Sequence, residues 1–283
     1  MRDAALQSLA VGFFDGVHLG HQAILKGADA ALTFSNHPLT VLAPEKAPRL
    51  IMSVEERVAA IKACGVGEVT VLDFTPELAE MSADEFVGFL NKRRGRRFSP
   101  VRCGENWRFG KGGEGNAEWL RTKGIDVEVA PYVEYKGERI SSSRIRRCLE
   151  NGEIEDANAM MGRRFQVSGF RFQGKGLGGE IGYPTVNLKL ETLNLKLPLG
   201  VYEVEVEGQK AIANYGLAPT MGDCAWSAPT MEIHYLHCST STPDFDSKSS
   251  FVDFVRFIRP ERKFDSVQDL QRQIAADCAT IAI

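Results

Sequence analysis

The chain has 283 residues, 43% of them hydrophobic and 25% charged, with a formal net charge of −3. That length favours two domains, each with its own apolar core. The near-neutral charge argues against a nucleic-acid or membrane partner held by bulk electrostatics. No stretch approaches the roughly 18 consecutive apolar residues of a membrane span. The start, Met1-Arg2-Asp3-Ala4, lacks the basic segment and apolar core of an export signal, so a cytoplasmic protein is expected.

In chain order, Leu9 to Phe14 reads as a buried strand and Leu19 to Leu25 as a helix. Further strands are expected at 30–34, 69–74, 100–103 and 127–130, alternating with helices as in a parallel sheet wrapped by helices. Ser53 with Glu56, and Ser82 with Glu85, are capping boxes that start two of those helices. Two short helices are expected between Ile145 and Met161, split at Asn151-Gly152. After Gly162 the pattern turns to strands at 165–172, 200–206, 211–215, 231–236 and 251–258, punctuated by Gly, Pro and Asn as in an antiparallel barrel. A last helix has Ser266 as N-cap and Val267, Leu270, Ile274 and Cys278 on one face. The expected division is therefore 1–161, an α/β Rossmann-like domain, and 162–283, a mainly antiparallel β-barrel with a C-terminal helix. Residues 239–250 read as a polar loop. The six cysteines show no metal-ligand clustering, so they read as reduced thiols, with no tightly bound metal expected.

The first chemical signal is Gly12-Phe13-Phe14-Asp15-Gly16-Val17-His18-Leu19-Gly20-His21. At a strand-to-helix junction, the glycines let backbone N–H groups approach a phosphate, and His18 and His21 share one side of the helix start. Both imidazoles are then able to donate to a phosphorus centre gaining charge as pyrophosphate leaves. This segment resembles the H-x-G-H signature of nucleotidyltransferases. Two loops follow other strand ends: Ser35-Asn36-His37-Pro38, where His37 reads either as a phosphate contact or as part of a structural turn set by Pro38, and Gly104 to Lys111 with Asn106, Trp107 and Phe109. The second reads either as a holder for a flat heterocycle or as a glycine-rich loop with an aromatic plug.

Ile140-Ser141-Ser142-Ser143-Arg144-Ile145-Arg146 puts hydroxyls and a guanidinium at a helix start. With the motif above, it resembles the flavin branch of that superfamily. Motif order resembles the adenylyltransferase half of bacterial bifunctional riboflavin kinase/FAD synthetases. The resemblance implies that Gly12, Phe14, Asp15, Gly16, Gly20, Asn106, Ser142, Ser143 and Arg146 bind ATP while His18 and His21 act in catalysis, making FAD from FMN.

In the second half, Gly174-Lys175-Gly176 and Gly182-Tyr183-Pro184-Thr185-Val186-Asn187 offer a phosphate loop and two hard oxygen ligands, Thr185 and Asn187, for Mg²⁺ held on ATP. With Asn214, Glu232 and Arg259 they resemble the riboflavin kinase module. In that family a glutamate at Glu232 acts as base toward the flavin hydroxyl, and Asn214 and Arg259 would contact flavin. The implied small molecules are riboflavin, FMN, FAD and ATP, without an obligatory protein partner. Departures from the family pattern include Gly179 and Ala218, each in place of an arginine, and the unusual 239–250 segment. They keep open a flavin-binding regulator with a decayed kinase site, and because H-x-G-H fixes the ATP chemistry but not the nucleophile, a nucleotidyltransferase with a different phosphorylated acceptor stays open as well.

Overall fold

A computed structural model describes residues 7–94, 98–172, 177–190, 196–217, 229–236 and 249–281. The expected loop at 239–250 falls almost wholly outside them, as do Gly174, Lys175, Gly176, Ala218, Cys224 and Cys238. The chain divides into two compact units, Met1–Ser142 and Ser143–Ile283.

The first unit runs β1 (Gln7–Val11), α1 (Leu19–Leu25), β2 (Ala30–Phe34), α2 (Leu39–Leu42), α3 (Val54–Ala63), β3 (Glu68–Leu72), α4 (Pro76–Glu80), α5 (Ala83–Arg94), β4 (Phe98–Gly104), α6 (Ala117–Thr122) and β5 (Val127–Ala130), followed by a small hairpin of β6 (Glu134–Tyr135) and β7 (Glu138–Arg139). Among the described residues the five longer strands form one parallel sheet in the order β3-β2-β1-β4-β5. Successive strand residues feed opposite faces. Leu9, Val11, Ala30 and Leu32 enter one apolar cluster with Leu78, Phe86 and Leu90, while Ala10 and Ala31 enter another with Phe14, Leu25 and Ile61. A sheet covered on both faces accounts for the near-continuous apolar run of β1. Both capping boxes form: the Ser53 and Glu56 backbone amides donate to each other's side chains at 2.7 and 3.2 Å, and those of Ser82 and Glu85 at 2.8 and 3.3 Å.

The second unit takes in α7 (Ser142–Asn151) from its second residue, then α8 (Ile154–Met161), β8 (Phe165–Phe172), α9 (Leu177–Glu180), β9 (Val186–Leu190), β10 (Gly200–Val206), β11 (Gln209–Gly216), β12 (Thr230–Tyr235), β13 (Ser249–Pro260) and α10 (Val267–Ala279). Strands β10-β11-β12-β9-β8-β13 close into a barrel with antiparallel pairing throughout. Inside it, Val167, Leu188, Tyr202, Val204, Met231, Ile233 and Phe254 are buried. Asn158 fastens α8 to this barrel, donating to the Phe254 carbonyl at 2.8 Å and accepting from the Phe165 amide at 2.7 Å.

Helix α10 starts at the expected Ser266 cap, whose hydroxyl accepts from the Asp269 amide at 3.1 Å. Its inward face differs from the apolar stripe read from sequence. Val267 is exposed, and Asp277 is buried instead. The reason is an ion pair: Asp277 takes a forked set of bonds from Arg259 on β13, at 2.7 to 3.1 Å. Val201, Ile212 and Ile281 pack beside it, with Ile258 and Cys278, as a small apolar seam between the helix and the outside of the barrel.

Candidate active sites

In the sheet order β3-β2-β1-β4-β5, the direction of winding reverses between β1 and β4. A crevice opens beyond the carboxyl ends of the strands at such a reversal, and open α/β sheets bind ligands there. The chain leaving β1 is the glycine-histidine motif, and the chain leaving β4 carries Asn106. Backbone shape around the motif is unusual. Phe14 (φ 57°) and Val17 (φ 39°) join Gly16 (φ 81°) in the left-handed region that side chains disfavour, a strain characteristic of functional turns. A side chain at Gly16 would be strained by that φ whatever the space, and an added Cβ would also lie 2.9 Å from Ile51 Cδ1, the movable end of its side chain.

The ring of Phe14 is buried in the core cluster beneath, so its side chain is not available at the surface of the turn. Asp15 is also buried, its carboxylate accepting from the Ile51 amide at 3.0 and 3.1 Å. Its carbonyl accepts from the Ser142 hydroxyl at 2.8 Å, tying the serine motif to the turn. His18 is the N-cap of α1, and its Nδ1 accepts from the His21 amide at 3.2 Å. That bond fixes the neutral ring with its proton on Nε2. The two imidazoles stack, with centroids 3.6 Å apart and planes 17° apart. Ser143 and Arg146 follow on α7 in the second unit.

The aromatic loop after β4 resolves toward structure. Phe109 is an aromatic plug: it lies in the core, stacked on Trp107 at 4.6 Å and edge-on to Trp119 at 5.5 Å. Gly115 admits it, because a Cβ there would be 2.6 Å from the ring. His37 Nδ1 accepts from the Leu39 amide at 3.1 Å, and the ring meets Phe13 edge-on at 4.8 Å.

Arg57 was not singled out from sequence. It is fully buried on α3, its guanidinium 4.2 Å from the Phe13 ring centre and donating to the Phe34 carbonyl at 2.5 Å. Its Nε and Nη1 have no hydrogen-bond partner among the described residues. Desolvation pulls its pKa down, and the negative charge of Asp15 opposes that shift. The available signal was an arginine at i+3 from Val54 and i−4 from Ile61, on the helix's apolar face.

On the barrel, strand register brings separate motifs into one line. Asn187 lies opposite Glu232, Glu232 opposite Asn214, Asn214 opposite Val201, and Val201 opposite Arg259. Residues directly opposite across an antiparallel pair share a face. Because Met231 and Ile233 point inward, this row runs over the outside of the barrel. Its Val201–Arg259 end is covered by α10, which explains why the Arg259 guanidinium is engaged with Asp277. Glu232 is accessible as a residue, yet the surrounding protein strips enough water from its carboxyl group to raise its pKa.

Thr185 lies two residues before Asn187. The turn leading to it is closed by a Tyr183 amide bond to the Gly178 carbonyl at 2.7 Å, and a Cβ on Gly178 would fall 3.0 Å from Thr185 Oγ1. His234, also unremarked in the sequence, bonds through Nδ1 to the Pro184 carbonyl at 3.0 Å, with Tyr183 edge-on at 5.2 Å. Glu261 sits over Gly216 and accepts from the Asn214 amide group at 3.5 Å. By contrast, a Cβ on Gly179 would meet nothing within 4 Å, so the glycine there is not required by packing.

A family model described as FAD synthetase matches residues 2–144, and one described as riboflavin kinase matches residues 161–282. The chain belongs to the bifunctional riboflavin kinase/FMN adenylyltransferase family. A relative of that name from Escherichia coli (strain K12) is 32% identical, the match covering 95% of this chain and 90% of that protein. Another from Bacillus subtilis (strain 168) is 29% identical over 97% of this chain and 91% of that one. A solved structure titled as a macrolide-efflux protein from Streptococcus pneumoniae superposes with a TM-score of 0.82 at 29% identity, covering 97% of this chain and 93% of that one. Among the described residues here, no helix is long and apolar enough to cross a membrane. As a member of the family, the chain phosphorylates riboflavin to FMN and adenylylates FMN to FAD, using ATP.

Proposed function

We propose that the two reactions use two separate residue sets, with residues 1–161 carrying adenylyl transfer and 162–283 the kinase. The observation that supports this most is the external row Asn187–Glu232–Asn214, which assembles three motifs from three strands at a distance in sequence from the histidine turn.

For adenylyl transfer, a phosphate oxygen of FMN attacks the α-phosphorus of ATP and the α–β bridging bond breaks, releasing pyrophosphate. His18 and His21 donate hydrogen bonds to oxygens that gain charge in that step. Gly12, Gly16 and Gly20 let the backbone of Phe14 and Asp15 approach the nucleotide. Asn106 reads an edge of a bound ring, and Ser142, Ser143 and Arg146 are assigned to the departing phosphates.

For the kinase, Glu232 accepts the proton of the terminal ribityl hydroxyl as that oxygen attacks the γ-phosphorus of ATP and the bond to the β–γ bridging oxygen breaks. Gly174, Lys175 and Gly176 are assigned to the triphosphate by resemblance. Thr185 and Asn187 are neutral oxygen donors beside a carboxylate, a set that suits Mg²⁺ carried in on ATP phosphates. When bound, the ion neutralises phosphate charge. Asn214 faces the flavin, and Arg259 serves it by anchoring α10. The cytoplasm, which supplies ATP and Mg²⁺, is the proposed setting.

The test is reciprocal inactivation. His21→Ala should lower FAD formation from FMN by about 10² to 10³ while FMN formation continues, and Glu232→Gln should do the reverse. Loss of both activities in either folded variant would refute separate sites.

A further inference from the structure

The external row continues one strand beyond Asn187. Phe172, the last residue of β8, lies directly opposite Asn187. Along β8, Val167 and Gly169 are the inward positions, so Phe172 shares the outer face with Asn187 and Glu232. Phe172 is 42% exposed, and an exposed aromatic ring beside a polar site is a surface suited to a flat ligand.

Position along the row selects the ligand. The proposed phosphate and Mg²⁺ ligands Thr185 and Asn187 lie on the β9 side of Glu232. Asn214 lies on the β11 side, toward the end covered by α10. Phosphoryl transfer requires the two substrates to meet near Glu232, so the nucleotide must extend away over β9 and β8. Neighbouring strands are about 4.8 Å apart, which puts Phe172 roughly 10 Å from Glu232, a distance that a triphosphate and ribose span. We infer that Phe172 is the platform on which the purine ring of ATP stacks in the kinase site, a binding residue for the phosphoryl donor. This rests on the kinase-site reading above. Stacking on a phenyl ring carries no hydrogen-bond readout, so the platform accepts any purine.

The experiment uses the full chain and measures riboflavin phosphorylation with Phe172→Ala, Phe172→Trp and, as a control, Phe170→Ala. Phe170 is similarly exposed but lies opposite Lys189, outside the row. In Phe172→Ala the KM for ATP should rise about tenfold, with kcat and the KM for riboflavin within twofold of the parent. Phe172→Trp should restore the KM, and Phe170→Ala should leave it unchanged. Inorganic tripolyphosphate, which has no base, should inhibit Phe172→Ala and the parent with the same Ki. A rise in the riboflavin KM instead would assign the ring to the flavin and overturn the proposal, as would an unchanged ATP KM or a parallel loss of tripolyphosphate binding. Full kinase activity in Glu232→Gln would show separately that the row itself is not the site.

Discussion

His18 has two separable duties, and two substitutions divide them. Its Nδ1 caps α1 by accepting from the His21 amide at 3.2 Å, while its Nε2–H is the proposed donor to the reacting phosphate. An N-cap side chain contributes about 1 kcal/mol, and serine supplies it as well as any residue. Removing one donor to a developing anion costs roughly 3 to 4 kcal/mol of transition-state stabilisation. His18→Ala should therefore lose both, with a melting temperature lower by about 3 °C and FAD formation lower by about 10² to 10³. His18→Ser should keep the cap and a near-parental melting temperature, yet lose FAD formation to the same extent. Thermal unfolding and single-turnover conversion of FMN, measured on both variants, read the two effects independently. Near-normal turnover in His18→Ser would mean that the histidine acts only through the helix cap. A serine variant as unstable as the alanine one would refute the cap.

Three further outcomes follow from the same geometry. Burial raises the Glu232 carboxyl pKa, and the base works only when deprotonated. Kinase activity should therefore rise with pH through a limb above the usual carboxylate range, a limb absent from adenylylation and abolished by Glu232→Gln in a pH–rate profile. Asp277→Ala would strand the Arg259 guanidinium beneath α10, costing about 3 to 5 kcal/mol in denaturant unfolding of the barrel, whereas an unchanged midpoint would show the pair to be dispensable. Burial pushes the Cys103 and Cys148 thiols up to about 11, so both should resist iodoacetamide at pH 8 until the chain is denatured, as read by mass spectrometry of the alkylated peptides.

Much of the architecture was legible because local chemistry and tertiary role agree. Strand β1 announced itself by an apolar run that a doubly covered sheet demands, and the Ser53 and Ser82 boxes marked helix starts that form as written. Strand β9 was less visible. Its outward residues Asn187 and Lys189 interrupt a five-residue segment, and its entry reads as a turn. Strand order, which lines up Asn187, Glu232 and Asn214, depends on contacts between distant segments and leaves no periodic trace. The buried charges were hidden for a different reason. Arg57 and Asp277 occupy positions that helical periodicity reserves for apolar side chains, and only a specific partner, an aromatic face for one and Arg259 for the other, makes them tolerable there. Phe109 illustrates the converse: a glycine-rich loop with aromatics suggests a ligand, yet the missing Cβ of Gly115 makes room for a plug.

The central claim is that this single chain carries both activities, and a chromatographic time course of the purified protein with riboflavin, ATP and Mg²⁺, beside one started from FMN, tests it most directly. FMN should appear first and FAD after it, with FAD also formed from supplied FMN. FAD formation from FMN without any phosphorylation of riboflavin would contradict the kinase half of the account, and formation of neither flavin would contradict both.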